Sequence, residues 1–396
     1  MPTAAKPVQK PFLVALLMIM TLLGVFPLDV VLPSFPALAE HFQTTTVDIA
    51  RSVSLFAIGF SCSLLWIGPL SDRIGRKKLL LGSMTVAIGG AVGCIAANDY
   101  SQFLLFRVIQ AIGCGGFVLS QALVQDLFVG KEQERLRIAI VTAGGIFISI
   151  SPLVGAWLQL HGGWQTSFYV FTAFALLLMF MTYRLLSDTQ PVARATNHNI
   201  LRGYAKIFSD RHFVSYATIS GITFACHFSF IVISPIIFMD QLGLSPYQYS
   251  LVLLLYGAAY VFGGLAAGWL NRRMLANTQI AMGLGLIAIS GVVMLFLDNG
   301  NGTSVWTILI PMLICTAGTT ITRPISNSRA MNLFPQSAGA AASATTVVIF
   351  IAGGLISALV STLTHNLSTT LGLCFLLLST LGLGLNGWAK HRPHVL

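Results

Sequence analysis

Apolar positions in this chain fall in long unbroken runs, without the spacing of a surface helix or the alternation of a half-buried strand. Twelve runs can be read, at about 11–36, 47–70, 79–97, 101–127, 136–159 and 164–186, then at about 212–238, 246–270, 278–297, 303–330, 338–362 and 368–389. An α-helix crosses a hydrocarbon core about 30 Å thick with about 20 residues, at about 1.5 Å each. The pattern therefore predicts an all-α integral membrane protein with twelve transmembrane helices.

The longest polar break carries Asp188, Pro191, Arg194, His198, Arg202 and Lys206. It divides the runs into six and six, so we expect an N-terminal six-helix half at 1–186, a cytoplasmic linker at 187–211 that is partly an interfacial helix, and a C-terminal six-helix half at 212–396. A weak repeat supports duplication: GPLSDR begins at Gly68 and GWLNRR at Gly268, each after the second run of its half. In transporters built this way the binding site lies near the midplane between repeats. Gly89 with Gly93, and Gly264 with Gly268, have the spacing that lets helices approach closely.

Composition agrees with a membrane protein. Of 396 residues, 55% are hydrophobic and 9% charged, against roughly 25% charged in soluble domains. The formal charge of +10, from 22 Lys+Arg and 12 Asp+Glu, would suggest nucleic acid in a soluble chain. Here most basic residues fall in every second gap between runs, while Glu40, Asp48, Asp99, Asp240 and Asp298 occupy the others, with Arg51 the one basic residue among them. That asymmetry predicts both termini on the cytoplasmic side of an inner (plasma) membrane. The six cysteines lie singly within apolar runs and read as small core residues.

Residues 68–78, GPLSDRIGRKK, combine Gly68 and Gly75, placed for a tight turn, with Asp72 among Arg73, Arg76, Lys77 and Lys78. A basic loop that fixes topology is one reading. The spacing also matches G-x-L-x-D-R-x-G-R-[KR]-[KR], and the chain thereby resembles the major facilitator superfamily. The resemblance implies two pseudo-symmetric six-helix halves, and a conformational latch of Gly68, Asp72, Arg73, Gly75 and Arg76 that holds the outward-facing state.

Four further stretches resemble motifs of the superfamily and of its twelve-span drug–proton antiporters, the Bcr/CflA-like group in particular. LDVVLPSFPAL from Leu28 is similar to the first-helix pattern T-D-M-Y-L-P-A-L-P, with Leu28 for Thr and Val31 for Tyr. RVIQAIG from Arg107 is similar to R-x-x-Q-G-x-G, with Ala111 for Gly. FISISPLVGA from Phe147 matches the antiporter helix G-x-x-x-G-P-x-x-G-G more loosely: Pro152 and Gly155 are kept, whereas Ser151 and Ala156 replace glycines. AGAAASA from Ala338 is similar to the group's A-G-T-A-S-A.

Ionisable residues inside the runs are functional candidates, because a charge at the bilayer centre costs about 2.5–3.5 kcal/mol or more. The candidates singled out among them are Asp29 in run 1, Arg107 in run 4, His227 in run 7, and Arg323 with Arg329 in run 10. The resemblance implies that these four helices line a central cavity and that Asp29 and Arg107 take part in proton coupling, with His227 as a third candidate. The chemistry supports the pair independently: burial disfavours an ionised carboxyl, a guanidinium favours it, and a substrate that shifts the balance links its own binding to proton release. A structural Asp29–Arg107 ion pair is the competing reading, and a hydrogen-bonded packing role competes for His227. Arg323 and Arg329, near the end of their run, read as snorkelling side chains. Gln110, three positions from Arg107, shares its face. Phe26, Phe56, Phe60, Phe224, Phe228, Tyr256 and Tyr260 are candidates for a substrate wall, Tyr256 and Tyr260 sharing a face at i and i+4.

The expected function is a proton-coupled exporter of amphipathic drugs or small organic metabolites, working by alternating access. With one acid, one arginine and one histidine, the cavity suits neutral, zwitterionic or anionic substrates. A dedicated exporter of one metabolite such as a siderophore, or an uptake symporter, would share the fold. No G-x-S-x-G, H-E-x-x-H, paired intramembrane aspartates or phosphate loop is present, which argues against an intramembrane enzyme or an ATP-driven pump. We expect a monomer in the bilayer, without metal, nucleic-acid partner or cofactor, using a proton gradient.

Overall fold

The computed structural model describes residues 10–186, 200–270, 273–301, 304–334, 337–363 and 366–390. Its regular structure over this range is helical: α1 (Lys10–Asp29), α2 (Phe35–His41), α3 (Thr46–Ile74), α4 (Arg76–Ala96), α5 (Tyr100–Cys114), α6 (Leu119–Leu127), α7 (Gly130–Gly162), α8 (Gln165–Leu185), α9 (Ile200–Ser209), α10 (Arg211–Pro235), α11 (Pro246–Leu270), α12 (Ala276–Asn301), α13 (Val305–Asn332), α14 (Ala338–Thr362) and α15 (Leu367–Lys390). Among the described residues, eleven helical stretches are long and apolar enough to cross a membrane, and a shorter apolar segment, Ile146–Gly162, lies within α7. Helices are the expected answer, because each satisfies its own backbone hydrogen bonds where water is absent.

Two expected spans are interrupted. Run 1 is α1, a 3-10 turn at Leu32–Ser34, then α2. The break follows from Pro33, which has no N–H to offer the carbonyl of Asp29 four residues back. Run 4 is α5, a 3-10 turn at Gly115–Val118, then α6, where Gly113, Gly115 and Gly116 weaken the helix. Polar caps start other spans: Asp99 accepts from the Gln102 amide ahead of α5, and Asp210 from the His212 and Phe213 amides ahead of α10.

The chain divides into two compact units, residues 1–44 with 59–198, and residues 45–58 with 199–396. The first 13 residues of α3 (46–58) thus count with the second unit. In the first unit, α1 packs on α7 and α8, and α4 on α5 and α8. In the second, α10 packs on α14 and α15, and α12 on α13 and α15. These are the same pairings shifted by six spans, so the two units repeat one packing scheme. α9 lies within the stretch read as a linker and packs on α14 and α10, while 187–199 lies outside the described residues.

Some glycines act differently from their spacing. Gly93 closes on the ring of Phe106, as expected, but Gly89, Gly264 and Gly268 face open space, and it is Gly263 that meets Thr320. A shift of one residue turns the contact by about 100° around the helix.

Candidate functional site

The α1 break creates a polar focus inside an apolar unit. Asp29 is the last residue of α1 and is half-buried. Its carboxyl neighbours the Ser151 hydroxyl of α7, which donates to the Ile148 carbonyl at 3.1 Å. One turn further along α7, Gly155 lies so close to α1 that a Cβ there would fall inside the Val30 carbonyl group. The stretch Ser151, Pro152, Gly155 is therefore the part of α7 that meets the break in α1, and the serine standing where antiporters carry glycine supplies a hydroxyl to the acid.

Arg107 on α5 bonds the backbone just before the same break and is wholly buried. It donates through Nη1 to Gln110 Oε1 at 2.8 Å and through Nη2 to the Pro27 carbonyl at 2.9 Å, two residues before Asp29. Its guanidinium also lies 5.8 Å from the Phe168 ring centroid. Phe26, Pro27, Val30, Arg107, Gln110 and Ser167 line a small cavity here. Phe26 packs on Phe147 and Phe171, with centroids 6.2 and 6.3 Å apart. The unit thus holds one acid at the end of α1 and one guanidinium bonded two residues before it, each with neutral polar neighbours.

The second unit gathers a different set. His227 Nδ1 is hydrogen-bonded to the Tyr256 hydroxyl, and its ring stacks on Tyr256 with centroids 5.5 Å apart and lies 5.7 Å from that of Tyr260. Arg323 donates to the Tyr260 hydroxyl at 3.1 Å and sits 5.5 Å from the centroid of Phe224. Phe224 stacks on Phe228 at 5.1 Å and meets Phe350 at 5.0 Å. The sequence reading of Arg323 as a snorkelling side chain is corrected by these contacts, and Phe350 was missed altogether; only the helix rotation brings it to the cluster. Phe56, in the α3 segment of this unit, is fully buried, as is nearly all of Phe60 in the other.

At the loop 68–78 the expected turn is made by Gly75 alone, at φ 92° between α3 and α4; Gly68 lies inside α3, which corrects its assignment to the turn. A side chain other than glycine would be strained at such a φ. Arg76 forms an ion pair with Asp126 at the end of α6, Arg73 is exposed, and the side chain of Asp72 lies outside those described.

Comparison with known proteins follows the same outline. The family model for the Major Facilitator Superfamily matches residues 17–358. "Multidrug resistance protein D" of Escherichia coli is 24% identical over 373 residues, 93% of each chain. "Uncharacterized MFS-type transporter YdgK" of Bacillus subtilis is 25% identical over 91% of this chain and 90% of its own. Among solved structures, the D-xylose-proton symporter superposes with a TM-score of 0.77 at 16% identity, over 96% of this chain and 97% of that one.

Proposed function

The chain belongs to the major facilitator superfamily and is a multi-pass membrane transporter, and from that premise we propose that it exports amphipathic organic molecules in exchange for protons. The observation that carries this reading is the polar focus at the α1 break. Asp29, with Ser151 on its carboxyl, lies two residues from the carbonyl that holds Arg107. In this reading the carboxyl changes protonation as its surroundings change between the two access states. Substrate or water entering on one side of the membrane selects one state, and the transporter's two access states select differently, which links the two fluxes.

Asp29 and Arg107 are the coupling pair in this proposal. Gln110 fixes the guanidinium, and the α7 stretch of Ser151, Pro152 and Gly155 fixes the acid. For His227 the hydrogen bond to Tyr256 and the two ring contacts favour a packing role within the substrate wall. Gly75, Arg73 and Arg76, with Asp72, form the latch, Arg76 through its pair with Asp126. Basic loops at alternate gaps support both termini in the cytoplasm of an inner-membrane protein, and we take the working unit to be a monomer. A relative named for multidrug resistance supports drugs or drug-like metabolites as cargo.

The test is proton movement reported by an internal pH dye in proteoliposomes, on adding chloramphenicol, an aromatic carboxylate or ethidium. We expect proton flux opposite to that of neutral or anionic compounds. Proton flux in the same direction as substrate, or strong transport of ethidium alone, would overturn the proposal.

A further inference from the structure

The second unit holds a charge for which the coupling pair has no use. Arg323 lies nine residues before the end of α13 at Asn332, about 14 Å along the helix, within a stretch apolar enough to cross a membrane. Its described partners are a phenol and a ring face, those of Tyr260 and Phe224. Neither carries a negative charge. The acidic residues of the same unit are engaged elsewhere: Asp48 pairs with Arg51, Asp210 caps α10, Asp240 accepts from Thr46, and Asp298 accepts from Asn366 and Thr369.

A long side chain near a helix end ordinarily runs toward the membrane surface. Here the geometry points the other way. Tyr260 lies ten residues before the end of α11, about 15 Å in, and Phe224 thirteen residues from the start of α10, about 20 Å in. Both contacts hold the guanidinium at its own depth or deeper. Arg323, Tyr260, Phe224 and Phe350 are each only half-buried, so the cluster keeps an uncovered side. We take that uncovered side to face water and not lipid tails, since lipid would leave the charge without solvation.

We propose that Arg323, Tyr260, Phe224 and Phe350 form a recognition site for aromatic organic anions, a carboxylate taking the guanidinium donors and the substrate's ring lying in the corner of Phe224 and Phe350. A guanidinium has five N–H donors in a planar fork that matches a carboxylate, and Tyr260 takes one of them. The inference rests on the export reading above, whose preference for neutral or anionic cargo it narrows to one class and one set of side chains. Tyr260 is a positioning residue here: its hydroxyl holds the fork at the ring corner.

The test is equilibrium binding to the full purified chain in detergent, without a pH gradient, of 1-naphthoate, the uncharged 1-naphthamide and the cation 1-naphthylmethylammonium. We expect wild type to bind naphthoate about tenfold more tightly than the amide and the cation weakest, the scale of one charge-assisted bidentate contact. Arg323→Gln removes the preference for naphthoate while amide affinity stays within about twofold, Arg323→Lys restores part of it, and Tyr260→Phe weakens naphthoate by about threefold. Equal binding of carboxylate and amide by wild type, absence of naphthoate binding, or a preference that survives Arg323→Gln overturns the proposal. The wild-type comparison decides even if a variant fails to fold. Because no gradient is imposed, loss of proton coupling in the earlier test leaves this result standing.

Discussion

The two units repeat one helix packing yet spend their charges in opposite ways. The fourth span of the first unit carries Arg107, wholly buried and bonded to Gln110 and to the Pro27 carbonyl two residues before Asp29. The tenth span, its counterpart, carries Arg323, half-buried, bonded to a phenol and lying against a ring. Identical topology thus surrounds its two arginines with different neighbours, and on the proposals above the enclosed one serves a proton site while the one beside rings with an open side receives an anion.

The largest expected effect tests whether the two arginines differ as described. Arg107→Ala removes two charge-assisted hydrogen bonds at about 1.5–3 kcal/mol each, so a loss of about 3–6 kcal/mol is expected, whereas Arg323→Ala removes one such bond from a half-buried side chain and costs about half as much. Thermal unfolding in detergent checks this, and equal losses would erase the contrast. Next comes the α1–α7 contact. Gly155→Leu places a side chain against the Val30 carbonyl and is expected to destabilise by about 1–3 kcal/mol, while Gly264→Leu, on an open face of the second unit, changes stability by less than about 0.5 kcal/mol. The smallest effect is Ser151→Ala, which takes the hydroxyl from Asp29. About 1 kcal/mol of bonding is at stake, so gradient-driven flux measured in proteoliposomes falls by about fivefold and is not abolished.

Much of the fold was legible in the sequence because hydropathy is a sum over about 20 positions and tolerates local exceptions. The runs correspond to α3, α4, α8 and α10 through α15 within a few residues. The breaks inside runs 1 and 4 were not legible as breaks, although Pro33 and the glycines at 113, 115 and 116 cause them, since such residues also occur in continuous membrane helices. The site divides similarly. Asp29, Arg107 and Gln110 stood out as rare polar residues in apolar runs. The role of Arg323 did not, because its partners on α10 and α11 depend on how three helices are rotated, and the open faces of Gly264 and Gly268 show how little spacing says about rotation.

The central claim, that Asp29 is the proton site, is tested most directly by comparing wild type with Asp29→Asn in proteoliposomes, measuring transport of labelled chloramphenicol both under an imposed pH gradient and as exchange at equal pH. Asparagine keeps the shape of the side chain and its contact with Ser151 but cannot ionise. We predict that Asp29→Asn retains exchange at about half the wild-type rate or more while gradient-driven accumulation falls by about a hundredfold. Accumulation at the wild-type level in Asp29→Asn would contradict the account.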